Sequence, residues 1–333
     1  LKRYGNLYHK IYDVENLKLA HINARKGKLK YTDVKMVDSD VDKYLLKIHN
    51  MLKNKTYEVS EYKVFNRFDG KKEREIFVLP YYPDRIIQWA ILQIVGDIWI
   101  NSFIEQTYSS IKNRGIHQCL KHIKRDIYNN ELKYCLKLDI RKFYPSIDNE
   151  ILKKILRNKI KDKDLLELLD KVIDSAKGVP IGNYLSQFFG NLYLNKFDHW
   201  MKENNKCKFY YRYCDDIVIL SDDKRELHIL LYNTKKYLKT NLNLEVKNNH
   251  SVFPIDKRGI DFLGYRIFKN YILVRKSIVK NMKNKMAKLS KFNTLTKNEK
   301  SVVSSYYGWC KYADSYRLKE KYINKNMNKK VSD

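Results

Sequence analysis

Residues 209–220, FYYRYCDDIVIL, narrow the folds open to this chain more than any other stretch. Two short runs rich in aromatic and β-branched residues flank Asp215 and Asp216. That pattern predicts a β-hairpin closed by a tight two-residue turn, and hence an antiparallel sheet. Adjacent carboxylates repel one another, so positive charge must lie close to them.

The chain has 333 residues, of which 44% are hydrophobic. That is enough for one large domain or two to three small ones with a real core. Lys and Arg number 67 against 38 Asp and Glu, a formal charge of +29 spread along nearly the whole length. Such self-repulsion calls for a polyanionic partner, nucleic acid first. An anionic membrane is the rival, but no run of roughly 18 apolar residues occurs. The most apolar stretch, IIQWAILQIVGDIWI at 86–100, carries Gln88, Gln93 and Asp97 and reads as a buried helix. No membrane partner is expected. Five cysteines, with no CxxC spacing, suggest neither a disulfide framework nor a zinc site. With no charged-then-apolar leader, the expected location is cytoplasmic.

Along the chain, residues 40–55 read as helix and 62–79 as a hairpin with DGKK at its turn, a basic tip suited to phosphates. The apolar helix 84–100 follows, then a loop entering a helix over 108–127 and a strand at 133–140. Residues 148–176 read as one or two amphipathic helices capped by Asp148. A turn leads into a helix at 178–201, and another helix lies near 223–241. Short strands are expected around 242–253 and 260–268, and basic helix from about Lys276 onward. The fold class is α+β, with an antiparallel sheet covered by helices on one face.

Asp139 ends the apolar strand YCLKL and emerges where a site can form. Three carboxylates meeting at one point are costly unless cations neutralise them. Two Mg²⁺ ions about 3.5–4 Å apart do so in phosphoryl-transferring enzymes, and no His/Cys set competes for a softer metal. The plain alternative is turn chemistry, since Asp is common in turns.

The flanking residues carry a resemblance to reverse transcriptases. YCDD (213–216) matches that family's YxDD turn, and LDIRKFYPSID (138–148) the strand supplying its first metal-binding Asp. REIFVLPYYPDRIIQWA (74–90) is similar to the fingers of bacterial members, FLGY (262–265) to the primer grip, and SYYGWCKYADSY (305–316) to the thumb. The resemblance implies a right-hand polymerase fold with fingers, an antiparallel-sheet palm and a helical thumb. The matching boundaries are an N-terminal helical segment 1–54, fingers 55–132 with part of the palm, palm 133–275 and basic thumb 276–333. It also implies that Asp139, Asp215 and Asp216 are catalytic and hold two Mg²⁺ ions, with Mn²⁺ as a substitute, and that the substrates are dNTPs.

Carried over in the same way, Lys72 and Arg74 bind the triphosphate, and Tyr144 excludes a ribose 2′-hydroxyl; their plain alternatives are solvated hairpin charge and an ordinary core Tyr. NRGIHQ (113–118) is similar to a template-contacting segment, with Arg114 on phosphate and Gly115 permitting close approach or marking a turn. Tyr213, Leu263 and Gly264 fall on template or primer. His117 reads as a packing or capping residue and Trp309 as thumb core, with base stacking the alternative for Trp309. Lys247 and His250 are both left open as the group protonating pyrophosphate.

One departure narrows the reading. Most reverse transcriptases carry QGxxxSP where this chain has IGNYLSQ, so Ile181, Gly182 and Gln187 would meet the nucleotide. Losing the Gln amide removes a polar contact and lowers discrimination. This IGxxxSQ pattern resembles that of diversity-generating retroelements, which copy a template RNA with errors at adenines. That implies a structured template RNA, an RNA/cDNA duplex and a basic accessory variability protein forming an oligomeric ring. The alternatives are a retron, group II-like or phage-defence reverse transcriptase, and a catalytically idle RNA-binding protein on the same scaffold.

Overall fold

The computed structural model describes residues 2–69 and 72–331. Gly70 and Lys71 of the DGKK tip lie outside the described residues, as do the side chains of Asp69 and Lys72.

The chain begins with helices α1 (Tyr8–Ile11), α2 (Val14–Ala24), α3 (Thr32–Ser39) and α4 (Val41–Lys53). Asp side chains start two of them: Asp13 accepts from the Glu15 and Asn16 N–H groups, and Asp40 from that of Lys43. Strands β1 (Lys63–Asp69) and β2 (Lys72–Val78) pair antiparallel, with Lys63 opposite Val78 and Asp69 opposite Lys72. Helix α5 (Ile86–Ile100) buries Ile86, Ile87, Ala90, Ile91, Val95 and Trp99, as its composition requires. Gln88 is buried there too, and its Oε1 accepts from the Tyr184 N–H at 2.8 Å.

Helix α6 (Ile116–Asn129), β3 (Tyr134–Asp139) and the short α7 (Phe143–Ser146) follow. The span 148–176 forms two helices, α8 (Asn149–Arg157) and α9 (Lys163–Asp174). Asp148 and Asp162 start them by accepting from the Ile151 and Leu165 N–H groups. The Ile151 N–H is the main reason the Asp148 carboxyl lies below its ordinary pKa. Helix α10 (Ser186–Glu203) leads to β4 (Phe209–Tyr213), β5 (Asp216–Ser221) and α11 (Lys224–Leu242). Then come β6 (Ser251–Pro254), α12 (Ile255–Arg258), β7 (Ile260–Phe262), β8 (Tyr265–Ile267), β9 (Ile272–Val274), α13 (Lys276–Leu289) and α14 (Lys297–Lys311).

The fold is α+β, but among the described residues the strands form three sheets rather than one, in the orders β1-β2, β4-β5-β3-β6 and β7-β8-β9. The β1–β2 hairpin forms its own sheet, and the FLGY turn folds β7 and β8 onto each other as a separate meander. Of the strand expected over 242–253 only Ser251–Pro254 forms; residue 246 instead makes an isolated antiparallel bridge to Ile140.

Two compact units result, each assembled from three stretches. One comprises Leu1–Ile111, Asp139–Cys207 and Asn233–Lys247; the other Lys112–Leu138, Lys208–Tyr232 and Asn248–Asp333. The core of the first is α5 and α10 with α2, α4, α8 and α9, where Leu17, Ile48, Ile91, Leu169 and Phe197 are 0% exposed. The second is built around the four-stranded sheet, with Cys135, Leu136, Tyr210 and Ile217 also at 0%. All five cysteines are free. Among the described residues no helix is long and apolar enough to cross a membrane.

Candidate active site

The hairpin that organises the sequence lies in the second unit. Its register runs from Phe209 opposite Leu220 to Tyr213 opposite Asp216. The turn residues are therefore Cys214 and Asp215, with Cys214 at φ 53°, while Asp216 is the first residue of β5. The two acids thus do not share the turn. β5 is an interior strand, buried from Ile217 to Ser221, and residues 213–216 are half-buried at its end.

The required positive charge comes from two places. Arg212 is 0% exposed and donates to the Cys214 carbonyl at 3.0 Å, fixing a guanidinium inside the sheet beside the acidic turn. Lys137 Nζ lies 3.8 Å from Asp216 Oδ1 and donates to the Asp261 carbonyl at 2.7 Å. Sequence reasoning missed both. The signal for Lys137 was the period of two, which places it on the same strand face as Asp139. No local signal marks Arg212, which is buried along with its neighbours Tyr210 and Tyr211.

In the first unit, Asp139 is held by residues 245–247 running alongside 139–141. The Lys247 N–H donates to the Asp139 carbonyl at 2.8 Å, and the Arg141 N–H to that of Glu245 at 2.7 Å. This ladder delivers Lys247 Nζ to Asp139 Oδ2 at 2.6 Å. Asp139 Oδ1 is buried with no hydrogen-bond partner. A carboxylate oxygen left so is a vacant acceptor suited to a hard cation. Among the described residues no three His, Cys, Asp or Glu side chains are gathered tightly enough to hold a metal ion. Ammonium groups lie against Asp139 and Asp216: Lys247 on the first and Lys137 near the second.

The first unit also carries the residues assigned to the nucleotide. Tyr144, on α7, is half-buried, with its ring 5.1 Å from that of Phe143. It lies over Gly190 of α10, where a Cβ would come within 3.1 Å of both rings. The Phe77 N–H of β2 donates to the Ile181 carbonyl at 2.9 Å. Gly182 follows at φ 130°, where an added Cβ would lie 2.1 Å from the Phe77 carbonyl oxygen. This glycine is thus fixed by a backbone-to-backbone approach that joins the IGNYLSQ segment to the hairpin. Gln187 is exposed, and its Oε1 accepts from the Ser110 hydroxyl.

Arg74 stands directly opposite Arg67, a pair that sequence reasoning missed although the register set by a two-residue loop predicts it. Lys63, Arg67 and Arg74 share one hairpin face, and Glu73 and Glu75 share the other, because period two sorts them. Like charges facing across a ladder are unfavourable in themselves.

In the second unit, Arg114 is half-buried just before α6. Gly115, at φ −130° and ψ −170°, is ordinary extended backbone, and a Cβ there would meet nothing within 4 Å. Leu263 and Gly264, at φ 53° and 85°, form the two-residue turn between β7 and β8. The Trp309 ring packs on this turn, 2.5 Å from where a Gly264 Cβ would stand, and lies 5.3 Å from the Tyr265 ring. His117 stacks on Tyr312.

Comparison with known proteins places this arrangement. The fold is that of right-hand polymerases: the chain is similar to apo telomerase from Candida tropicalis, with a TM-score of 0.55 at 11% identity, over 76% of this chain and 53% of that one. Residues 69–267, well over half of the chain, match the family described as "Reverse transcriptase (RNA-dependent DNA polymerase)", and the chain belongs to that family. It is similar to protein YkfC of Escherichia coli, 23% identical over 57% of this chain and 62% of that protein. It is also similar to the retron Ec73 reverse transcriptase of Escherichia coli, 25% identical over 65% and 73%. With the group II intron-encoded protein LtrA of Lactococcus lactis subsp. cremoris it shares 26% identity over 40% of this chain and 24% of that one. The matches thus span 62% of YkfC and about a quarter of LtrA. Family membership implies dependence on a divalent metal in general terms.

Proposed function

We propose that this chain is an RNA-directed DNA polymerase that extends a primer on a retroelement RNA by two-metal nucleotidyl transfer. The observation that carries the proposal is the YCDD hairpin, with Asp215 in its turn and Asp216 opening β5 beside Lys137. Asp139, Asp215 and Asp216 would hold Mg²⁺, and the partnerless Asp139 Oδ1 supports that assignment. When bound there, divalent ions would supply positive charge for the primer 3′-hydroxyl and the leaving pyrophosphate. Lys247, on Asp139 Oδ2, would orient that carboxylate with Oδ1 left for the cation, and Lys137 would balance the charge of Asp216. Arg67 and Arg74, opposite one another across the hairpin, would bind the triphosphate, and Lys72 is assigned to it with them. Tyr144 walls the sugar. Primer extension on a defined RNA, with and without chelator, tests the activity. Extension that survives full metal removal contradicts the proposal.

The finer reading is that the cDNA is error-prone and serves diversity-generating retrohoming, with a basic accessory protein as partner. Ile181 at the usual Gln position supports it: an aliphatic side chain offers the base no polar contact. Sequencing the cDNA should find errors concentrated at template adenines, and Ile181→Gln should lower them several-fold. Even, low error in both proteins would favour the second reading, a retron-type enzyme, which the Ec73 relative supports.

Lysines Lys276, Lys280 and Lys283 of α13 line a groove of about 450 Å³ together with Leu273, Val279 and Leu318. We assign them to duplex phosphates. Each phosphate neutralised contributes roughly 0.9 to the salt slope, so about three contacts predict log K falling by roughly 3 per decade of salt. The triple Lys→Ala variant should lose most of that slope. An unchanged slope would remove the groove from the interface.

A further inference from the structure

The rings of His117 and Tyr312 lie face to face, with centroids 3.7 Å apart and planes 13° from parallel. His117 is the second residue of α6, three beyond Arg114, and Tyr312 directly follows α14. A contact serving only to pack two helices would bury its rings. Here Tyr312 is 40% exposed and His117 is exposed as well, so the pair keeps aromatic surface open to solvent. Burial and the neighbouring Lys311 lower the His117 pKa, so the imidazole is a neutral flat ring near pH 7.

The surroundings are cationic. Lys311 Nζ sits 6.0 Å from the Tyr312 ring centre, Lys112 is exposed, and Arg114 is half-buried. Neither 112–118 nor 306–312 contains an acid. Tyr307 and Tyr316, 39% and 72% exposed, extend the aromatic content of the same stretch. Aromatic faces bordered by Lys and Arg are how proteins hold unpaired bases: stacking is tolerant of sequence, and the cations take the phosphates.

We infer that the His117–Tyr312 pair is a stacking platform for an unpaired base of the RNA template, with Lys311 and Arg114 on the flanking phosphates. The inference rests on the RNA-template reading above, and it places a residue of the C-terminal basic segment, Tyr312, on single-stranded RNA in addition to duplex.

The test uses a uridine oligoribonucleotide carrying one central 5-iodouridine, irradiated in complex with the whole protein, together with binding measured by anisotropy. The crosslink is expected on Tyr312 or His117. Tyr312→Ala and His117→Ala should each weaken the oligomer by about five- to a hundredfold, the range stacked aromatics contribute. Tyr312→Phe should stay within about twofold, and an RNA–DNA duplex should bind all variants alike. Thermal melting of each variant separates lost stacking from lost folding. Wild-type binding by both alanine variants, or a crosslink on neither ring, overturns the platform while leaving the polymerase reading intact. Equal effects on a deoxyuridine oligomer overturn the commitment to RNA. A wild-type protein that binds no RNA overturns the template reading itself.

Discussion

Replacing Asp215 and Asp216 together by Asn is expected to abolish primer extension, by at least roughly a thousandfold, while RNA binding and thermal stability stay near wild type. Metal ions stabilise several kcal/mol of developing charge in such transfers, and about 4 kcal/mol corresponds to that factor. The amides keep the shape of the acids and lose their charge. Arg212 and Lys137 would then face a neutral turn, a change that leaves the sheet's apolar core untouched. Extension assays on an RNA template, with binding measured in parallel, separate the outcomes. Extension by the double variant would show that these carboxylates are not the metal ligands, and loss of binding would make their role structural.

Gly182→Ala should be the most damaging small substitution in the first unit. Its φ of 130° is a region essentially reserved for glycine, and the new methyl would have to displace the Phe77 carbonyl, which lies 2.1 Å from its position. Strain and overpacking each cost about 1–3 kcal/mol, for roughly 2–6 kcal/mol together. The hydrogen bond from Phe77 to Ile181 should break with it, freeing the hairpin that carries Arg67 and Arg74. Thermal melting should therefore fall by several degrees, and the apparent dNTP KM should rise. Gly115→Ala is the control: with extended backbone and open space, it should change stability by less than about 0.5 kcal/mol. Equal effects at the two positions would mean that the tight approach at Gly182 relaxes freely.

Much of this was legible in the sequence because it is local. The alternation in FYYRY and DIVIL, the apolar run of α5 and the Asp148 cap of α8 each follow from a few neighbouring residues. What stayed hidden depends on pairing between distant segments. No local pattern says that 245–247 runs along 139–141 and presents Lys247 to Asp139. Nothing in the local pattern marks Arg212 as buried, yet it is fully enclosed in the sheet. The hairpin turn was displaced by one residue, because Asp216 pairs with Tyr213 and so belongs to β5. The single expected sheet became three, because hairpins fix their own registers but not which strands lie beside them. Gly182 was read as a nucleotide contact from its motif. Its approach to Phe77 is visible only once β2 is in place.

The most direct measurement replaces the divalent metal by Fe²⁺ and lets peroxide and ascorbate generate hydroxyl radicals at the bound ion. Cleavage of the polypeptide then marks whichever backbone lies against it. If a single cation is shared by β3's last residue and the YCDD turn, the chain will be cut near both 139 and 213–217, and Asp139→Asn will suppress both cuts. Cutting near one location alone, or cuts that persist in the variant, would contradict that arrangement.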